Sequence, residues 1–193
     1  MTLILAAPPA LAAKTILVFG DSLSAGYGIR PLAAWPSLLQ ARLAEKRSDY
    51  SVANLSISGE TTAGGHSRLP AALRQNRPAV VILELGANDG LRGLPLAQMK
   101  DNLTAMVDMA RKDGARVLLV GMRLPPNYGP YAEQFQAIYA EVATKRKVPL
   151  VDFLLAGIAD QPALFQADTF HPTAEAQPKL LDQVWPSLLP LLK

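Results

Sequence analysis

The chain has 193 residues and no cysteine, which excludes disulfides, thiolate nucleophiles, zinc ribbons and iron–sulfur clusters. It has only two histidines, His66 and His171, so any imidazole chemistry uses one or both. Charged residues make up only 18% of the chain and hydrophobic ones 50%, a balance that excludes a disordered or coiled-coil protein. Nineteen Lys and Arg against 16 Asp and Glu leave a net charge of +3. The basic residues are scattered, without the run or stripe that nucleic-acid binding uses, so no nucleic-acid partner is expected. No apolar stretch is long enough to span a bilayer. The phosphate-cradling patterns G-x-x-x-x-G-K-[ST] and G-x-G-x-x-G are both missing.

A chain of this length suits one domain that buries roughly 70% of its surface. Residues 1–13 stand apart from it. They carry no charge, run apolar from Leu3 to Ala7 and end Ala10-Leu11-Ala12-Ala13, the small-x-small pattern of a signal-peptidase site, although a basic n-region is missing. The expectation is a signal peptide over 1–13, a single domain over 14–193, and a periplasmic or secreted protein.

Beyond Lys14, apolar runs at residues 16–19, 52–55, 79–85, 117–122 and 148–153 lack polar alternation, as strands buried on both faces do. Between them lie segments of helical spacing, including Trp35, Leu38, Leu39 and Leu43, then Leu69, Ala72 and Leu73, then Met99, Leu103, Met106, Val107 and Ala110, then Phe135, Ile138, Tyr139 and Val142. A last helix is expected from Pro178, kinked or interrupted at Pro186. Five strands alternating with helices predict an α/β domain, a doubly wound parallel sheet covered on both faces. Glu84 falls inside the third strand, where an unpaired carboxylate is costly; a structural partner or partial exposure is expected for it.

Ligands bind beyond the carboxyl ends of such strands. There the sequence places Gly20-Asp21-Ser22-Leu23, then Ser58-Gly59-Glu60, Gly86-Ala87-Asn88-Asp89-Gly90, and Asp168-Thr169-Phe170-His171-Pro172. Each piece alone has a plain explanation. Asp21 or Ser22 can cap a helix, Gly59 can turn a loop, Asn88-Asp89-Gly90 can form a tight turn, and His66 beside Gly64 and Gly65 reads as a surface or pocket-rim histidine at a helix start. Together they supply a serine hydrolase: Ser22 as hydroxyl nucleophile, His171 as base, and Asp168, three residues earlier, as its orienting carboxylate. The Ser22 and Gly59 amides and the Asn88 side chain are candidate oxyanion donors from three strand ends. His66 has no acid at comparable spacing.

In order, these four blocks resemble the SGNH (GDSL) hydrolase superfamily. Residues 54–65, 84–93 and 125–129 are similar, more narrowly, to its bacterial multifunctional thioesterase/lysophospholipase/arylesterase group. The resemblance implies a three-layer α/β/α, flavodoxin-like fold with a five-stranded parallel sheet. It also implies no cofactor, a periplasmic location, and hydrolysis of acyl esters and thioesters by Ser22, Asp168 and His171, with Ser22, Gly59 and Asn88 as oxyanion hole. Between Asp168 and His171 the family commonly has Gly then Ile or Leu, whereas this chain has Thr169-Phe170. If that position needs a positive φ, a β-branched Thr strains it.

Apolar rim residues are the candidates for acyl-chain contact: Tyr27 and Ile29 after Ser22, Leu91 and Leu94 after Asn88, Leu124, Pro125, Pro126 and Tyr128 after the fourth strand, and Phe170. The expected partner is a small acyl ester, thioester or lysophospholipid, with at most transient contact with a membrane surface, and the chain is expected to act as a monomer. Carbohydrate deacetylation within the same superfamily and a non-catalytic flavin- or phosphate-binding module are the alternatives. An ordinary α/β-hydrolase is disfavoured because Ser24 stands where the G-x-S-x-G elbow needs its last Gly.

Overall fold

A computed structural model describes residues 13–46 and 48–193. The leader expected over residues 1–13 lies outside them, apart from Ala13. Five strands, β1 (Lys14–Gly20), β2 (Tyr50–Asn54), β3 (Val80–Glu84), β4 (Arg116–Val120) and β5 (Leu150–Val151), form one sheet in the order β2-β1-β3-β4-β5. Every pairing is parallel, with Ile16 opposite Val52 and Val80, and Val81 opposite Val117. This is the doubly wound α/β architecture expected from the five apolar runs, with its switch point beside β1.

Helices α1 (Ser22–Ala25), α2 (Trp35–Glu45), α3 (Thr62–Asn76), α4 (Ala87–Leu91), α5 (Leu96–Lys112), α6 (Pro130–Arg146) and α7 (Gln177–Leu188) complete the domain. α2 and α7 pack together over one face of the sheet, while α3, α5 and α6 form the opposite layer. The apolar character of the strands follows directly, since Ile16, Leu17, Val18 and Phe19 of β1 and all five residues of β3 are buried.

Some boundaries differ from those expected. β5 has two paired residues rather than the six of the apolar run, because it is an edge strand that meets β4 only through Leu119–Leu150 and Val120–Val151. α3 begins at Thr62, well before its first apolar residue of helical spacing, because Thr61 caps it by accepting from the Gly64 amide. α7 continues through Pro186. The hydrogen bond lost there would have reached Asp182, and both residues lie on the exposed face, where water can satisfy the freed carbonyl.

Glu84 is fully buried, so the partial exposure considered for it is not found; the structural partner is. Its Oε2 accepts from Ser24 Oγ at 2.6 Å and from the Asp21 amide at 3.4 Å. Burial, then the Asp21 charge, pushes its carboxyl well above the ordinary value. A Cβ on Gly20 would collide with this carboxyl and with Ser24 Oγ, so only glycine fits at the end of β1.

Candidate active site

The chain leaves β1 through Gly20 and enters α1 at once. Asp21 is the N-cap, and its Oδ1 accepts from the Leu23 amide at 3.0 Å. Ser22 is therefore the first helical residue, and its own amide has no acceptor among the described residues. The Gly59 amide is likewise free, at the turn where Gly59 takes φ +79°.

The last loop before α7 brings His171 to Ser22. Nε2 of His171 lies 2.9 Å from Ser22 Oγ, and Nδ1 lies 2.6 Å from Asp168 Oδ2. Asp168 Oδ1 accepts from the Phe170 and His171 amides at 3.0 Å each. These bonds hold the Asp168 carboxyl down at about 2, the His171 amide contributing most, then the His171 ring, then the Phe170 amide. Asp168 is thus an anion throughout the neutral range and fixes the imidazole with Nε2 facing the hydroxyl. His66 lies within α3, half-buried, and pairs with no carboxylate among the described residues.

Asn88 lies in α4, with its Nδ2 donating to Asp21 Oδ2 at 3.1 Å and to the Glu60 carbonyl at 2.9 Å. The amide therefore sits between the loop of Gly59 and the cap of α1. Burial raises the Asp21 carboxyl to about 6, against the lowering effect of the Leu23 amide, the His171 ring and Asn88. Its neighbour Asp89 is buried and accepts from the Thr62 amide at 2.8 Å and the Thr62 hydroxyl at 2.5 Å. That pair ties α4 to the start of α3 and so fixes Asn88 relative to Gly59.

The rim candidates divide. Tyr27 is exposed and its ring lies 4.5 Å from the His171 ring, tilted by 40°. Phe170 is exposed beside His171, and Leu91 is exposed after Asn88. Tyr128 donates to the Leu91 carbonyl at 3.2 Å, and its own amide donates to Pro125. The carbonyl of Leu94 is held by Tyr131 at 2.8 Å. Ile29 is half-buried, its amide donating to the Gly26 carbonyl at 3.2 Å, while Leu124 packs against the core and Pro126 opens a short 3-10 turn.

Three residues were not singled out from the sequence. Gln166 Nε2 donates to the Tyr27 carbonyl at 2.8 Å and to the Pro172 carbonyl at 3.0 Å, joining the loops of Ser22 and His171. Arg92 donates to the Gly59 carbonyl at 3.1 Å. Arg68 binds Glu60 at 2.6 Å and the Leu55 carbonyl at 2.7 Å, with its guanidinium 3.8 Å from the Phe19 ring centroid. Thr169 takes φ +62°, so the position does need the left-handed conformation that a β-branched residue resists.

Residues 18–177 match the profile of the GDSL-like lipase/acylhydrolase family. The chain belongs to that family. It is 53% identical over 182 residues to "Esterase TesA" of Pseudomonas aeruginosa, covering 94% of this chain and 90% of the relative. It is 44% identical over 184 residues to "Thioesterase 1/protease 1/lysophospholipase L1" of Escherichia coli K12, covering 95% and 87%. A crystal structure of TesA superposes with a TM-score of 0.91 at 52% identity, over 93% of this chain and all of the other. The esterase EstA of a Pseudoalteromonas species, inhibited by monoethylphosphonate, gives 0.88 at 40% identity, over 93% and 98%. The protein is accordingly a serine-type ester hydrolase.

Proposed function

We propose that the protein hydrolyses acyl esters and thioesters, including aryl esters, acyl-CoA and lysophospholipids, through an acyl enzyme on Ser22. The observation that carries the assignment is the continuous chain from Asp168 Oδ2 through both His171 nitrogens to Ser22 Oγ, with links of 2.6 and 2.9 Å. A serine hydroxyl becomes nucleophilic when a base removes its proton as it attacks. His171 takes that proton through Nε2, and Asp168 stabilises the imidazolium. The carbonyl oxygen becomes an oxyanion that receives the free Ser22 and Gly59 amides and one Nδ2 hydrogen of Asn88, which leaves the Glu60 carbonyl for it. His171 then protonates the departing alcohol or thiol. Water, deprotonated by the same nitrogen, releases the carboxylic acid and regenerates Ser22.

The exposed apolar residues Tyr27, Leu91 and Phe170 around the triad support an acyl chain as the group bound, in preference to the sugar of a carbohydrate deacetylase. A flavin or phosphate module is disfavoured by the buried Asp21 carboxyl at the end of β1, where such a module cradles phosphate. The leader reading of residues 1–13 supports a periplasmic or secreted enzyme, and we propose that it acts as a monomer.

Treatment with a fluorophosphonate, followed by peptide mass spectrometry, tests the assignment. A single adduct on Ser22 that is lost in His171→Ala is expected. An adduct on another residue, or none, would overturn it.

A further inference from the structure

Six large apolar side chains are exposed among the described residues: Tyr27, Leu32, Ile57, Leu91, Phe170 and Leu189. Five of them occupy one end of the molecule. Tyr27 and Leu32 lie between β1 and α2, Ile57 follows β2, Leu91 follows β3, and Phe170 lies in the loop after β5. Only Leu189 falls elsewhere, past the C-terminus of α7. Leu32 is the most exposed, at 84%. The last loop crosses back to Ser22 and Tyr27, so with the strand order β2-β1-β3-β4-β5 these residues gather over the ends of β2, β1 and β3, about 10 Å of sheet at the usual strand spacing. Leu32 and Ile57, 84% and 51% exposed, lie outside the three residues assigned to the acyl chain, Tyr27, Leu91 and Phe170. Exposed apolar clusters of this kind mark interaction surfaces.

The exposed charges without an ion-pair partner in these segments, among the described residues, are cationic. Arg30 lies between Tyr27 and Leu32, and Arg92 follows Leu91; both are exposed, and neither has a carboxylate at ion-pair distance among the described residues. The acidic residues nearest to the site in sequence are engaged, Glu60 by Arg68 and Asp168 by His171. Apolar side chains interspersed with arginines that have no carboxylate partner are the chemistry of a protein surface that sits on anionic lipid headgroups, the arginines meeting phosphate and the apolar groups entering the acyl boundary.

We propose that this end of the molecule, with Leu32, Ile57, Phe170, Arg30 and Arg92 around the triad, docks on anionic phospholipid surfaces and presents Ser22 to acyl lipids lying in them. The proposal takes its purpose from the hydrolase reading of Ser22, but docking can be measured without catalysis. The probes are unilamellar vesicles of phosphatidylcholine alone and of phosphatidylcholine with an equal part of phosphatidylglycerol. The Ser22→Ala protein, which leaves the lipid intact, is expected to sediment with the anionic vesicles and to be released by salt. Adding Leu32→Ser and Arg30→Gln is expected to weaken this partitioning about tenfold. In the active enzyme the same two changes leave kcat/KM for a soluble short aryl ester unaltered and lower hydrolysis of lysophospholipid embedded in anionic vesicles. No sedimentation, equal sedimentation with both vesicle types, or a double variant that sediments like its parent would overturn the proposal. Vesicle binding by an enzyme that hydrolyses no soluble ester would uphold the docking surface and remove the hydrolase assignment.

Discussion

Asn88 enters the unliganded site with both amide hydrogens committed, one to the buried Asp21 carboxyl and one to the Glu60 carbonyl. An oxyanion competes well with a neutral carbonyl, because a charge-assisted hydrogen bond is about twice as strong as a neutral one. The amide is therefore held in place before substrate arrives, and in the proposed mechanism it exchanges a weaker acceptor for a stronger one as charge develops. Asn88→Ala is expected to lower kcat on a good ester by roughly 10² to 10³, read from steady-state kinetics. Thr169 presents the opposite case, a residue whose side chain works against its own backbone. Its φ of +62° costs a β-branched residue about 1 kcal/mol. Thr169→Gly is expected to raise Tm by about 3 °C in calorimetry, while the Asp168 acceptors of the loop stay in place.

The loop from Leu164 to Thr173 is an element without regular structure that is nonetheless closely tied. Its ends meet through Phe165 and Pro172, Gln166 N donates to His171 O at 2.8 Å, and the Gln166 side chain crosses to Tyr27. Gln166→Met keeps the volume and removes both side-chain donors, so His171 loses its registry with Ser22. The expected result is a fall in kcat of about 10- to 100-fold at unchanged KM for a short ester, with slower fluorophosphonate labelling. A loss carried by KM alone would show that Gln166 contacts substrate instead. Nothing local in the sequence marks Gln166, since its partner Tyr27 is 139 residues away. The residues of the proposed triad were legible as a group because their motifs sit at the ends of strands that announce themselves as apolar runs. The edge strand β5 was read too long because an apolar run records burial, whereas strand length depends on a partner. α3 was read too short at its start, where a cap and two glycines carry the first turn without an apolar stripe.

At the scale of the whole molecule, two buried carboxyls under the site shape its response to pH. Asp21 is raised from 3.8 to about 6 by burial. Between those values the folded protein holds a proton that the unfolded chain has released, so this group's contribution to stability falls as pH rises from about 4 to 6. Glu84, also raised by burial, acts in the same sense. Asp168 acts in the opposite sense and lower on the scale: its contribution is present above 3.8 and is lost as pH falls toward about 2. Urea unfolding at about pH 4.5 and 6.5 is expected to show a smaller difference between the two conditions in Asp21→Asn than in the parent protein. The hydrogen bond between His171 and Ser22 spans 149 residues of sequence, from the start of the first helix to the loop before the last one. During synthesis the proposed nucleophile leaves the ribosome early and its proposed base nearly last. With those roles, nascent chains and truncated fragments are expected to be inert toward the cell's own lipids and thioesters, so that the onset of ester hydrolysis would report assembly of the complete sheet.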